Sequence, residues 1–211
     1  MFVKNPGMWI AIAVILMVIV IVLSFIPVVG SLAANFLMPV FAGGILLGCK
    51  SLTEGGDFGI DSLFAGFKQN TGNLIMVGVF YLVGVIAITV LVFFIGGGAA
   101  LTGGLIGRGP GVGVAMGGFF LAMLVMLALL VPLAMAVWFA PALVVFHNVA
   151  PLEAMKASFF ACLKNIVPFI VYGVILFVLC IIAMIPFGLG MLVMVPVTMG
   201  SVYASYAEIF E

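Results

Sequence analysis

The sequence predicts an all-α polytopic membrane protein, with six transmembrane helices in three parallel two-helix repeats and cytoplasmic amphipathic helices between them. Three observations carry this reading. Hydrophobic residues fill 67% of the 211 positions and charged residues 6%, whereas soluble domains carry roughly 25% charge; the mean hydropathy is +1.57. Several apolar runs reach the ~20 residues that a spanning helix needs, and none alternates in the ~10-residue dyad pattern of an outer-membrane barrel. Two similar segments, Ser62-Leu-Phe-Ala-Gly-Phe-Lys68 and Ser158-Phe-Phe-Ala-Cys-Leu-Lys164, each stand just before a long apolar run.

Taken in order, Lys4 precedes an apolar run over residues 8–27. That is longer than the roughly 7–15 residues of a signal-peptide core, so it reads as an uncleaved first span. The Ile26-Pro27 turn leads to a second span over about 32–49, with Pro39 inside it. A polar loop over 50–60 holds Glu54 and Asp57, and the third span covers about 74–95. Residues 96–118 include eleven glycines, Arg108 and Pro110; so little side-chain surface predicts a flexible connector rather than a packed helix. The fourth span is expected over 119–146, ending at His147-Asn148, the fifth over 166–185 and the sixth over 191–206, before a short acidic tail. Ile60, Leu63, Phe64 and Phe67 make one helical stripe, and Leu152, Met155, Phe159 and Leu163 a second, so both segments read as amphipathic helices lying on a membrane surface.

Spans two, four and six align on Pro39, Pro132 and Pro196, and Ile26-Pro27 matches Ile185-Pro186. The chain therefore divides as a single membrane domain, 1–211, into units of about 1–57, 58–148 and 149–211. The first unit lacks its amphipathic helix, which leads us to expect chain upstream of Met1. With two spans per unit, all units point the same way, and the pseudo-symmetry axis runs along the membrane normal. Lys4, Lys50, Lys68, Lys156 and Lys164 fall on one side and Arg108 on the other, so both termini are expected in the cytoplasm. Small residues spaced by four let helices approach closely; Gly44 and Gly48, Ala136 and Ala140, Gly200 and Ala204 supply them on the even spans. These residues are expected to pack helices together, leaving the odd spans to face lipid.

Function classes narrow by exclusion. Ionisable residues inside a span mark proton relays and voltage sensors, and none stands near the centre of a predicted span. The six Lys plus Arg and six Asp plus Glu balance, so no basic surface awaits nucleic acid. One histidine, His147, cannot build a bis-His haem or zinc site; it suits the C-terminus of a helix. Cys49, Cys162 and Cys180 show no CxxC spacing and are expected as free thiols. The glycines around Arg108 lack the Gly-Lys-Ser/Thr ending of a phosphate loop. The methionines, Met123, Met126 and Met135 among them, read as gap-fillers. No catalytic site, cofactor or metal is expected. Lys68 and Lys164, each immediately before a span, are candidates for holding lipid head groups at the phosphate level.

The KNPGxW start, the IPVVG turn, PVFAGGILLG, SLFAGFKQN, WFAPALVVFHNVAPLEAMKASFFACLKN and the closing VPVTMGSVYASY together resemble a family of small six-span proteobacterial inner-membrane proteins with no assigned activity. In plan the chain is also distantly similar to the membrane domain of glycerophosphodiester phosphodiesterases, without its catalytic residues. The resemblance implies an inner-membrane fold and no chemistry. The expected function is a non-enzymatic inner-membrane scaffold, accessory subunit or lipid-interacting module, with membrane lipids and other membrane subunits or a second copy as partners. The alternative is a small channel or passive transporter with a pore between spans two, four and six; the polar groups that could line a channel are Asn35, Thr89, Thr198, Ser201 or backbone.

The charge asymmetry predicts the sidedness. In a cysteine-depleted background, Cys at position 108 should react with an impermeant maleimide added outside intact cells, and Cys at position 68 or 153 should not. The opposite labelling pattern would invert the topology.

Overall fold

The computed structural model describes residues 5–27, 29–107, 110–185 and 190–210. Among them every regular element is helical: α1 Pro6–Ser24, α2 Val29–Thr53, the short α3 Asp61–Phe64 continued as a 3-10 turn Ala65–Phe67, α4 Thr71–Ile106, α5 Pro110–Trp138, α6 Ala140–His147, α7 Pro151–Lys164, α8 Ile166–Met184 and α9 Met191–Phe210. Six stretches are long and apolar enough to cross a membrane, with α5 and α6 together forming one. Lys4, Arg108, Pro186 and Glu211 lie outside the described residues. The chain is an all-α polytopic membrane protein, as its composition requires. It divides into two compact units, residues 1–79 with 136–211, and residues 80–135.

In the larger unit α2 is the central element. It packs against α1, α3, the 3-10 turn, α6 and α9, and from Pro39 onward it is buried on several faces. Its glycines are the reason so many neighbours fit. A Cβ on Gly44 would stand 2.6 Å from the Ser62 carbonyl oxygen and 2.8 Å from that of Leu63, and one on Gly48 would meet Phe58 at 2.6 Å. Gly66, from the other side, presses on the Val40 carbonyl. Pro39 has no N–H to give the Asn35 carbonyl four residues back. Gly78 of α4 lies against that carbonyl, where a side chain would come within 2.6 Å of it. Phe58 stacks on Trp9 at 4.1 Å between centroids, which ties α1 to the same core.

The two repeated segments differ in structure. The first is one turn of α-helix and one of 3-10, its backbone crowded onto α2; glycine at 66 permits this and leaves too short a run for a surface helix. Only Leu63 of its expected stripe is buried, while Ile60, Phe64 and Phe67 stay exposed. The second, α7, is a full helix, but its buried face is Ala154, Met155, Ser158, Ala161 and Cys162. Leu152 at 51%, Phe160 at 56% and Leu163 at 46% remain exposed. Small residues form the inward face and large apolar ones the outward face, the reverse of the soluble pattern, because lipid accepts the latter without cost.

The fourth span also departs from expectation. Pro141 cannot donate to the Val137 carbonyl, and the helix breaks at Phe139, giving α5 and α6. The freed Phe139 N–H donates to the Ser158 hydroxyl of α7 at 2.9 Å. Gly30 and Gly190 press on Leu23 and Ala183 of the preceding helices.

The largest correction concerns the glycine-rich stretch. α4 continues through Ile106 and α5 begins at Pro110, so the described part of 96–118 is a helical hairpin rather than a flexible connector. In the smaller unit the glycines form its seam. Gly103 and Gly111 lie backbone to backbone, Gly118 sits against Ala99, and a Cβ on Gly96 would meet Ala122 at 3.4 Å and one on Gly84 would meet Leu133 at 2.8 Å. The partners converge in step along two antiparallel helices, which is close small-residue packing. At ~1.5 Å per residue, the 36 residues of α4 span about 54 Å, well beyond a hydrocarbon core of ~30 Å.

The seam makes a test of sign. A Cβ at Gly104 or Gly117 would meet nothing within 4 Å, while one at Gly103 or Gly118 would run into the facing helix. Gly104→Ala and Gly117→Ala should stabilise the protein by roughly 0.5–1 kcal/mol through helix propensity, and Gly103→Ala and Gly118→Ala should destabilise it by about 1–3 kcal/mol through overpacking, both read from unfolding in mild detergent. Equal effects at all four positions would mean that no seam exists.

Candidate functional site

The larger unit gathers polar side chains where α2 and α6 finish, beside the last turns of α9 and the start of α4. Lys50 holds an i,i+4 approach to Glu54 at 4.0 Å and places its ammonium 5.3 Å from the Phe146 ring centroid. Thr53 Oγ1 and Tyr203 Oη share a hydrogen bond of 3.1 Å, and His147 Nδ1 meets Tyr206 Oη at 2.7 Å. These contacts fix α9 to the ends of α2 and α6. Asn70 and Asn148 both adopt the left-handed region that Asn tolerates best after Gly. The Asn70 amide donates to the Asn148 side chain and, at 3.1 Å, to the Val144 carbonyl. This pair ties the start of α4 to the end of α6.

Beside this network a cleft of ≈ 720 Å³ opens between α7, α8 and α9. Trp138, Phe160, Phe169, Tyr172 and Phe210 contribute aromatic walls, and Lys164, Asn165, Ser205 and Glu208 the polar rim. Trp138 stands edge-on to Phe169 and Tyr172, with centroids 5.5 and 5.9 Å away, which fixes its ring. Tyr172 Oη and Ser201 Oγ share a 2.6 Å hydrogen bond, and Asn165 Nδ2 donates to the Ala161 carbonyl at 3.0 Å. Lys164 ends α7 just before the span of α8, and Glu208 lies in the last turns of α9. The rim therefore sits near the ends of two apolar helices, α8 and α9.

Of the residues expected to matter, Lys164 lines this cleft and Lys68 does not; both are exposed. Gly44 and Gly48 are tightly packed, though against the segment from Phe58 to Gly66 rather than another span. Ala140 is buried and Ala136 half-buried. Gly200 has open space around it and Ala204 is exposed, so neither marks a crowded contact. Among the described residues Cys49, Cys162 and Cys180 form no disulfide. Burial in α7 pushes the Cys162 thiol up to about 11, against the pull of the Ser158 hydroxyl, so it is protonated at neutral pH and a poor nucleophile. Sequence reasoning does not single out Trp138, Tyr172, Glu208 and Phe210. Their signal is nonetheless there, as aromatic and charged residues clustered near the ends of spans four to six.

No family model matches the chain, and no solved structure matches it. A probable inner membrane protein of Burkholderia thailandensis is similar, with 29% identity over 206 residues covering 91% of this chain and 73% of that one. The likeness to the membrane domain of glycerophosphodiester phosphodiesterases is not shown by these comparisons. The similarity to the Burkholderia protein and the six apolar helices together support an integral inner-membrane protein.

Proposed function

We propose that the protein is a non-enzymatic lipid-binding module of the inner membrane, holding a phospholipid at the cleft between α7, α8 and α9. The observation that carries this reading is the combination of rigid aromatic walls with an exposed lysine at a span boundary. The rings offer apolar surface to the upper acyl chains, and the Lys164 ammonium stands where a lipid phosphate would lie. The volume is within the range of roughly 300–1,000 Å³ common to small-molecule sites.

The polar residues suggested for a pore favour this reading over a channel. Asn35 Nδ2 donates to the Ser31 carbonyl, Thr89 to Val85, Thr198 to Met194 and Ser201 to Thr198. Each donor is spent on a carbonyl of its own helix and is not offered to a passing solute. The buried, small-residue face of α7 makes it a fixed wall of the cleft, consistent with a binding role.

Purified protein examined by native mass spectrometry should retain phospholipid. Lys164→Gln should lower retention about fivefold, since one basic residue near the surface is worth ~1 kcal/mol, while Lys68→Gln should leave it near the wild-type level. Equal losses, or none in either variant, would remove the cleft from the account.

A further inference from the structure

Lys164 and Glu208 line the same cleft, yet they do not pair with each other. Among the described residues the one approach of opposite charges within 4.0 Å is Lys50 with Glu54. Two opposite charges on one rim, facing shared space and left unjoined, are complementary to a ligand that carries both signs itself. On this basis, and resting on the lipid reading above, we infer that the cleft selects a phospholipid of the phosphoethanolamine class, whose head group bears a primary ammonium beside its phosphate.

Charge and hydrogen bonding distinguish this head group from its neighbours. The Lys164 ammonium pairs with the phosphate oxygens, and the Glu208 carboxylate accepts from the lipid's ammonium N–H groups, a charge-assisted bond stronger than a neutral one. Trp138, Phe160 and Phe210 in the wall present ring surface of the kind that attracts a cation. A choline head group has the positive charge but no N–H to donate. A glycerol head group donates only neutral hydroxyls, leaving the Glu208 charge without a counter-ion. Both lose the interaction that the carboxylate offers, and only the primary amine completes the rim.

The inference is tested by competition. Wild-type protein is exchanged into an equimolar mixture of phosphatidylethanolamine, phosphatidylcholine and phosphatidylglycerol with identical acyl chains, and the retained lipids are read by native mass spectrometry. Phosphatidylethanolamine should be enriched about tenfold, the scale of one charge-assisted hydrogen bond. Glu208→Gln should lower phosphatidylethanolamine retention to the level of the other two lipids, whose own retention stays close to wild type, and Lys164→Gln should lower retention of all three lipids. Circular dichroism and melting in the same detergent establish that each variant is folded; should Glu208→Gln fail to fold, Glu208→Asp takes its place and should weaken the preference without removing it. Retention with no preference for phosphatidylethanolamine, or a preference that survives Glu208→Gln, overturns the inference and leaves the lipid site standing. No retained lipid in the wild type overturns the lipid site and the inference with it.

Discussion

The structure depends on the backbone contact between α2 and the short segment that follows it. In lipid the helices gain nothing by hiding apolar side chains from one another, so association rests on close packing and on satisfied polar groups. Gly44, Gly48 and Gly66 supply that closeness, since a side chain at any of them would run into backbone or ring atoms of the facing element. Everything nearby is placed by this contact. Phe58 reaches under Trp9 and fixes α1. Thr71 Oγ1 donates to the Phe67 and Gly66 carbonyls at 2.8 and 3.2 Å, closing the short segment onto the start of α4. Leu74 then comes within 3.1 Å of where a Gly43 side chain would stand, and Val145 of α6 within 2.8 Å.

The same contact explains why the sequence copies diverge in structure. Gly66 and Cys162 occupy matching positions. Glycine lets the first copy collapse against the Val40 carbonyl, whereas the second copy carries a buried cysteine at that position of α7. A full helix survives only in the second case. Its Ser158 hydroxyl accepts from the Phe139 N–H at the break, so the break in the fourth span and the helix beside it are mutually fitted.

Much of the fold is legible in the sequence because hydropathy and length are one-dimensional signals. The six spans and the lysines ahead of α4 and α8 follow from spacing along the chain. The failures have a shared cause. Periodicity tells which residues share a helical face, but not whether that face meets lipid or protein, since both are apolar; hence it groups Met155, which is buried, with Leu152 and Leu163, which are exposed. Glycine content tells that side chains are absent, but not whether the gap is left open or filled by another helix; hence the seam of Gly103, Gly111 and Gly118 reads as a connector. The cleft is half legible. Lys164 stands out as a charge before a span, but Trp138 and Glu208 join it only through the tertiary placement of α5, α7 and α9.

The account turns on Gly44 and Gly66 being sites where backbone meets backbone, and unfolding of Gly44→Ala and Gly66→Ala in mild detergent measures this directly, with Gly200→Ala as the comparison. Alanine gains about 1 kcal/mol over glycine in an open helix, and overpacking costs about 1–3 kcal/mol. The account predicts a loss of stability at 44 and 66 and a small gain at 200, where a side chain meets nothing within 4 Å. Stability unchanged or raised at 44 and 66 would contradict it.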